Sequence, residues 1–260
     1  VEVEMTSEQQ EIYQKVADAL FVEIERDLSD PGKKAKMTVE HILTRLMRLT
    51  QITSGFLTLD ANVDEETGAV LAERQIVPFK ENPKIEALIE TLQQDFENDK
   101  DIKVIVWAVF VQDIKAIHEA LAKAGIKHAT YYGATSDSDR EAAVQAFNND
   151  PTLRVLVGNP ATMAEGLNLL GYNPNVPVDQ QLPTYCGHEI FYSTNWSMVQ
   201  RAQAEDRAHR RGTKMPVRIT DLVVPNTMDQ EMRARTLLQR HALALQVGQR
   251  LEGRILLHED

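Results

Sequence analysis

Three polar side chains in the last quarter of the chain have the types and spacing needed for phosphate chemistry. Gln203, Arg207 and Arg210 stand at i, i+4 and i+7, so a helix through them would present one amide and two guanidiniums along one face. Guanidiniums hold phosphate oxygens through forked, permanently charged donors, and they stabilise charge that develops during phosphoryl transfer. The spacing alone also permits a solvated helix whose arginines pair with Glu205 and Asp206.

The segment that carries these residues resembles a helicase signature. QAEDRAHRRG, at 203–212, resembles the last signature of superfamily-two helicases, Q-x-x-x-R-x-x-R, in the variant QAxDRxHRxGQ of the Swi/Snf class of DNA translocases. VLVGNPATMAEGLNL, at 155–169, resembles the preceding signature, which is a strand, a loop and then G-[LI]-N-L. KVIVWAVFVQDIKAIHEAL at 103–121 and YYGATSDSDREAAVQAF at 131–147 resemble earlier strand and helix pairs of the same lobe. The resemblance covers most of the chain, from near residue 5 to near residue 245.

The resemblance implies the second, C-terminal RecA-like lobe of a two-lobed motor that binds ATP between its lobes. By residue match, Arg207 and Arg210 are arginine fingers and Gln203 lies beside the γ-phosphate. Gly166 and Asn168 lie on a loop that lines the ATP cleft and couples it to the nucleic-acid track. The implied cofactors are ATP and Mg²⁺, held mainly by the first lobe. The implied partners are that first RecA-like lobe and duplex DNA, with translocation favoured over strand separation by family analogy.

Four features depart from the family pattern and weaken the subfamily assignment more than the lobe assignment. Thr213 replaces the closing Gln, and Met163 and Ala164 stand at loop positions where glycines are usual. The connection before the next strand, 172–188, is long and proline-rich. Ser193 to Asn195 stand where an acidic residue is expected ahead of Trp196.

A first lobe can be tested for within the sequence, because a phosphate loop requires G-x-x-x-x-G-K-[ST]. The only Gly-Lys pair is Gly32-Lys33, but it has Asp27 at the position of the first glycine and Lys34 where Ser or Thr is required. The one candidate pair of magnesium-binding acids, Asp64-Glu65, follows no apolar strand and is interpreted as solvated loop. We therefore expect that the chain alone does not hydrolyse ATP, and that it belongs to a longer protein.

The elements that must position these residues follow from the apolar pattern. Short apolar strands alternate with helices of ten or more residues, which predicts a RecA-like, doubly wound α/β domain with a parallel sheet and helices on both faces. The predicted strands are 103–109, 128–132, 153–158, 189–193 and 217–224, and the predicted helices are 83–96, 112–124, one from 137, and 197–210.

The remaining segments are predicted to flank this domain. Two N-terminal helices are expected between residues 6 and 50, separated by a turn at 29–34, and 58–74 is expected to form an exposed loop or weak hairpin. A C-terminal helix is expected from 227 to about 247. The predicted division is a helical lead-in with a loop at 1–77, the RecA-like lobe at 78–225 and a helical tail at 226–260.

Composition narrows the functional classes. The net charge of −11 argues against a protein that coats nucleic acid along its whole surface, although 207–214 is a local basic segment. Cys186 is the single cysteine, which excludes a cysteine-rich zinc site, and it is interpreted as an ordinary loop thiol. No apolar run approaches the roughly 18 residues of a membrane span, so we expect an intracellular protein in the cytoplasm, nucleoid or nucleus, with no membrane partner.

Several other residues invite a functional interpretation. His188-Glu189 begins like a zinc-protease motif, but Tyr192 occupies the position of the second histidine, so no metal site is predicted. Trp107 is expected in the core. For Trp196 two interpretations are equally favoured, packing under the helix that carries the predicted fingers and a coupling role. Glu165 is interpreted as a loop carboxylate.

Two other functions remain as alternatives to the motor lobe. One is a RecA-like module without catalysis that docks a partner or nucleic acid. The other is a self-contained nucleotide-binding enzyme, which the missing phosphate loop disfavours. Retention of Gln203, Arg207 and Arg210 together favours the motor lobe, since a docking surface does not need that row.

Overall fold

A computed structural model of the chain describes residues 1–29, 39–59, 62–63, 70–163, 167–209, 213–236 and 238–239. Two long helices open the chain, α1 (Ser7–Ser29) and α2 (Val39–Ser54). Within these ranges no helix has both the length and the apolarity that a membrane crossing requires.

The segment after α2 forms hairpins. Strand β1 (Phe56–Leu59) pairs antiparallel with β4 (Gln75–Pro78), and the short strands β2 (Asn62–Val63) and β3 (Val70–Ala72) pair with each other. Of the two predicted possibilities, loop or weak hairpin, the hairpin is therefore correct. Asp64 and Glu65 lie outside the described residues.

A five-stranded parallel sheet forms the centre of the protein. It is built from β5 (Ile102–Trp107), β6 (His128–Tyr131), β7 (Val155–Gly158), β8 (Tyr185–Phe191) and β9 (Arg218–Asp221). Their order in the sheet is β6-β7-β5-β8-β9, and every neighbouring pair is parallel. After β5 the chain forms β6 and β7 on one side of that strand and then β8 and β9 on the other, which confirms the doubly wound α/β fold.

Three helices connect these strands and a fourth precedes β5, and each of the four starts near its predicted residue. They are α3 (Pro83–Asn98), α4 (Val111–Lys123), α5 (Asp137–Asn149) and α6 (Met198–Glu205). Side-chain oxygens of Asn82, Ser136 and Ser197 accept backbone N–H groups at the starts of α3, α5 and α6. Such caps satisfy amides that have no partner within a helix, which is why these helices begin where they do.

Alternate residues of the strands face two separate cores, as the pleat requires. On one face, α3 and α4 pack against the sheet through residues that include Leu88, Ile117 and Val106. On the other, α5 and α6 pack through residues that include Phe147 and Ala204. Trp107 is fully buried in this second core, which confirms its predicted place.

The N-terminus and the C-terminal segment 228–236 contact the sheet domain. The Val3 N–H donates to the Val223 carbonyl at 2.9 Å, so the N-terminus extends the sheet beyond β9. Residues 228–236 form a C-terminal helix, and the rest of the predicted tail helix lies largely outside the described residues. Lys84 of α3 forms a buried ion pair with Asp229 of this C-terminal helix.

Candidate nucleotide-cleft site

The predicted finger segment begins on α6 but does not remain helical. The N–H of Asp206 bonds to the carbonyl of Ala202 at 3.0 Å, whereas the N–H of Arg207 bonds only three residues back, to Ala204, at 3.0 Å. The tighter turn ends the helix at Glu205, so the predicted helix over 197–210 is wrong for 206–209. The expected row on one helical face is therefore interrupted, because Arg207 lies in the following turn.

The two signature segments meet at this turn. The carbonyl of Arg207 accepts the N–H of Leu169 at 3.1 Å, so it bonds to the preceding signature instead of continuing the helix. Leu169 is fully buried, in the same core as Ala204 and Ala208. One backbone bond and one packed side chain thus bring together segments that lie almost 40 residues apart in sequence.

The predicted site residues have different environments. Arg207 is 4% exposed, which contradicts the solvated-helix alternative for this residue. Gln203 is half-buried on α6, and Asn168 is exposed beside a concave surface formed with α5. Arg210 and Gly166 lie outside the described residues, as does Glu165.

Arg201 is a charged residue of α6 that the sequence analysis did not single out. Its Nε donates to Glu205 at 2.7 Å, its other nitrogens pair with Asp221, and its guanidinium carbon lies 3.4 Å from the centre of the Phe191 ring. Burial disfavours the charge, but the hydrogen bonds and charges of Asp221 and Glu205 outweigh it and raise the pKa of Arg201. In the sequence, the i, i+4 spacing of Arg201 and Glu205 on a predicted helix could have indicated this ion pair.

A cleft lies beside this ion-pair cluster, between α6 and the C-terminal helix. Its lining is mixed and contains both apolar and charged side chains. The lining residues include Phe191, Met198, Arg201, Glu205, Asp221 and Arg233. Trp196 is 38% exposed, with the guanidinium of Arg235 at 5.6 Å from its ring, so it is not a core residue.

Ser193, in the segment that lacks the family's acidic residue ahead of Trp196, contacts the carboxyl group of Asp113. Ser193 accepts the N–H of Val109 at 2.9 Å and donates its hydroxyl to Asp113 Oδ2 at 2.6 Å. Burial raises the pKa of Asp113 to about 7, against the opposing hydrogen bond from Ser193. Asp113 of α4 therefore places a carboxyl group beside Ser193, just beyond the carboxyl end of β8.

His188 and Glu189 are internal residues of β8. His188 bonds through Nδ1 to Asp95 at 2.6 Å and through Nε2 to Thr220 at 2.8 Å. Glu189 accepts the indole N–H of Trp107 at 2.7 Å, and burial raises its pKa well above the usual range. In the part of the chain that the structure describes, no three His, Cys, Asp or Glu side chains are grouped to hold a metal.

The proline-rich connection at 172–188 is anchored at both ends. The Thr184 hydroxyl, near its end, donates to the carbonyl of Gly171, just before its start, at 2.7 Å. Gly171 adopts φ +75, and a Cβ at this position would lie 2.6 Å from the Cys186 nitrogen, so the turn requires glycine. Lys214 donates to the Leu182 carbonyl at 2.7 Å, which ties the connection to the chain beyond the finger segment.

Cys186 itself is not a loop thiol. It lies in β8, which begins at Tyr185, four residues before the predicted start of the strand, and it is 1% exposed. The prediction failed because the polar residues of 185–188 conceal a buried strand. Burial raises the pKa of the Cys186 thiol well above its usual value.

Comparison with known proteins places this arrangement in a family. The model of the helicase conserved C-terminal domain matches residues 83–212, half of the chain. The chain is 25% identical over 240 residues to mouse DNA annealing helicase and endonuclease ZRANB3, covering 92% of the chain and 18% of that protein. It is 28% identical over 149 residues to DNA repair protein rad8 of Schizosaccharomyces pombe, covering 57% of the chain and 12% of that protein. The chain spans less than a fifth of the length of the curated relatives that it matches.

Solved structures share the fold. The C-terminal part of the Fun30 ATPase domain aligns with a TM-score of 0.65 at 17% identity, covering 91% of this chain and 87% of that one. The Sulfolobus solfataricus SWI2/SNF2 ATPase core in complex with dsDNA aligns with a TM-score of 0.61 at 19% identity, covering 90% of this chain and 42% of that one. The chain therefore belongs to the helicase conserved C-terminal domain family and has the fold of the C-terminal RecA-like lobe of SWI2/SNF2 ATPases.

Proposed function

We propose that this chain is the second motor lobe of an ATP-dependent translocase that acts on duplex DNA inside the cell. The observation that carries the proposal is the bond from the Leu169 N–H to the Arg207 carbonyl, at 3.1 Å. It joins the two signature segments, so that a change in one shifts the backbone of the other. A motor lobe needs such a connection, because ATP turnover must alter the grip on nucleic acid.

In this proposal the lobe contributes charge to an ATP site that a first lobe completes. The first lobe holds the phosphate loop and the Mg²⁺ ligands, since the sequence of this chain contains no G-x-x-x-x-G-K-[ST]. Arg207 and Arg210 act as arginine fingers toward the γ-phosphate, with Gln203 beside it. Gly166 and Asn168 belong to the loop that is proposed to line the ATP cleft between the two lobes. Guanidiniums suit this role because they remain charged and meet phosphate oxygens with two donors.

DNA as the track is supported by the relatives and by local charge. One structural relative was solved in complex with dsDNA, and several curated relatives are named as helicases or as a DNA repair protein. The chain carries a net charge of −11, so binding along the backbone depends on local basic segments such as 207–214.

One observation favours a second candidate, the docking module without catalysis. Arg207 is 4% exposed, and a buried arginine is also what a purely structural role would produce. The two functions differ in what removal of the guanidinium does. A finger acts mainly on charge in the transition state, so its loss lowers kcat, whereas a structural arginine affects stability first.

The test is steady-state ATPase activity of the two-lobed protein with saturating duplex DNA. Arg207→Ala and Arg207→Lys should each lower kcat on the order of 10³-fold, the low end of arginine-finger effects. Lys should not rescue, because a point ammonium cannot reproduce the fork. Arg74→Ala, which removes an exposed arginine before β4, is the matched control and should leave kcat unchanged.

Thermal melts of each variant complete the experiment. If Arg207→Ala melts like the parent and keeps a near-normal kcat, the finger assignment is wrong. If activity falls only in proportion to the unfolded fraction, the structural role is correct and the docking module becomes the better function.

A further inference from the structure

Asn148, near the end of α5, is a nearly buried amide with both of its ends engaged. Its Nδ2 donates to the carbonyl of Asn168 at 2.8 Å, and its Oδ1 accepts the N–H of Gly171 at 3.0 Å. The residue is 9% exposed. Both partners are backbone groups of 168–171, which comprises the last two residues of the G-[LI]-N-L signature and the two residues after it, so one side chain binds that segment at two points three residues apart.

The segment 168–171 is hydrogen-bonded to the backbone of Arg207. Between the two points held by Asn148 lies Leu169, whose N–H donates to the Arg207 carbonyl at 3.1 Å. Three hydrogen bonds therefore connect the rigid helix α5 to the backbone of the finger residue through 168–171. Because Arg207 lies beyond the end of α6, its position is not determined by that helix alone.

We propose that Asn148 is a positioning residue for the ATP site, which sets the location of Arg207 relative to the loop that carries Asn168. This inference rests on the proposed function, because it assigns Asn148 a role only through Arg207. An amide is needed, since the site requires a donor and an acceptor in one planar group. Aspartate keeps the acceptor for Gly171 but places a second acceptor against the Asn168 carbonyl.

The variants are made in the two-lobed protein, with duplex DNA present. Asn148→Asp keeps the size of the side chain and Asn148→Ala removes both bonds, so at least one is available if the other does not fold. Each should lower kcat roughly 10- to 100-fold, the range expected when a catalytic group moves by about 1 Å. The KM for ATP should change less than about twofold, because the first lobe holds most of the nucleotide.

The neighbouring residue supplies a matched control. Asn149 is exposed, and its Nδ2 bonds only within α5, to the carbonyl of Gln145 at 2.8 Å and to its Oε1 at 3.0 Å. Asn149→Ala removes an asparagine amide from the same helix but leaves the two hydrogen bonds from Asn148 to 168–171 in place. We expect a kcat equal to that of the parent.

A double-mutant cycle separates positioning from general stability. If Asn148 acts through Arg207, then Asn148→Ala should lower kcat no further in a protein that already carries Arg207→Ala. An equal loss in both backgrounds would overturn the proposal, as would a parental kcat for both Asn148 variants. If Arg207→Ala itself has a parental kcat, the proposed function fails and this inference fails with it. A low kcat for Arg207→Ala beside parental Asn148 variants overturns only the inference.

Discussion

Asp113→Asn should abolish a loss of stability that the parent protein suffers as the pH rises from 4 to 7. Asp113 is 1% exposed, its Oδ2 accepts the Ser193 hydroxyl at 2.6 Å, and its Oδ1 has no hydrogen-bond partner among the described residues. Burial disfavours the charged form, which raises the pKa of Asp113 from 3.8 to about 7. The folded protein therefore binds this proton more tightly than the unfolded chain does.

The sign and size of the effect follow from proton linkage. Below about pH 4 the group is protonated in both states, so it costs nothing. Between about pH 4 and pH 7 the folded state binds more protons, so the free energy of unfolding falls as the pH rises. The shift from 3.8 to about 7 is about 3 units, and at about 1.4 kcal/mol for each unit the full loss is on the order of 4 kcal/mol.

Urea unfolding of the parent and of Asp113→Asn, at intervals from pH 4 to pH 8, measures this quantity. Near pH 4 the variant should be less stable by about 1–3 kcal/mol, because its amide donor has no partner in place of Oδ1. The difference should reverse in sign as the pH rises, changing on the order of 4 kcal/mol in total.

A carboxylate on the same helix controls for the charge change. Glu119 is exposed on α4, and Glu119→Gln should shift the free energy of unfolding by less than about 0.5 kcal/mol at every pH. A difference between the parent and Asp113→Asn that stays constant from pH 4 to pH 8 would refute the reasoning, because it would mean that Asp113 is ionised in the folded protein throughout.

The remaining predictions concern the buried ion pair and the isolated chain. Lys84→Met should lower the free energy of unfolding, measured in urea, by about 3–5 kcal/mol. The substitution leaves Asp229 without its ion-pair partner and removes a hydrogen bond to the Tyr192 carbonyl. A loss under about 1 kcal/mol would contradict this prediction. The isolated chain should not hydrolyse ATP above a buffer control, and measurable turnover would show that its site is complete. Its binding to duplex DNA should be weak and should fall steeply with salt in a fluorescence titration, whereas tight binding at high salt would indicate a dedicated binding module.

The sequence by itself determined the fold class and the family. Apolar strands such as 103–109 and 153–158 are buried on both faces of a parallel sheet, so they appear as continuous apolar runs, and the helices between them have caps that can be recognised locally. The signature segment 203–212 identified the lobe because it is a short, local pattern of charged residues. Both kinds of signal depend on residues that are close together in sequence.

The tertiary structure alone decided how the site is assembled. The end of α6 at Glu205 could not be predicted from its pattern, because Arg207 gives its carbonyl to Leu169, a residue far away in sequence. The first four residues of β8, which include Cys186, were missed because its polar residues find buried partners from other elements, such as Asp95 for His188.

The same reason explains Asp113 and Asn148, two of the residues that the sequence did not single out. Asp113 meets Ser193 only because α4 packs against the end of β8. Asn148 grips 168–171 only because α5 lies over that segment. Hydrogen bonds between distant segments leave no periodic trace in a sequence, since any residue type that can donate or accept is able to make them. Local patterns therefore determined which elements form, and packing determined which side chains meet.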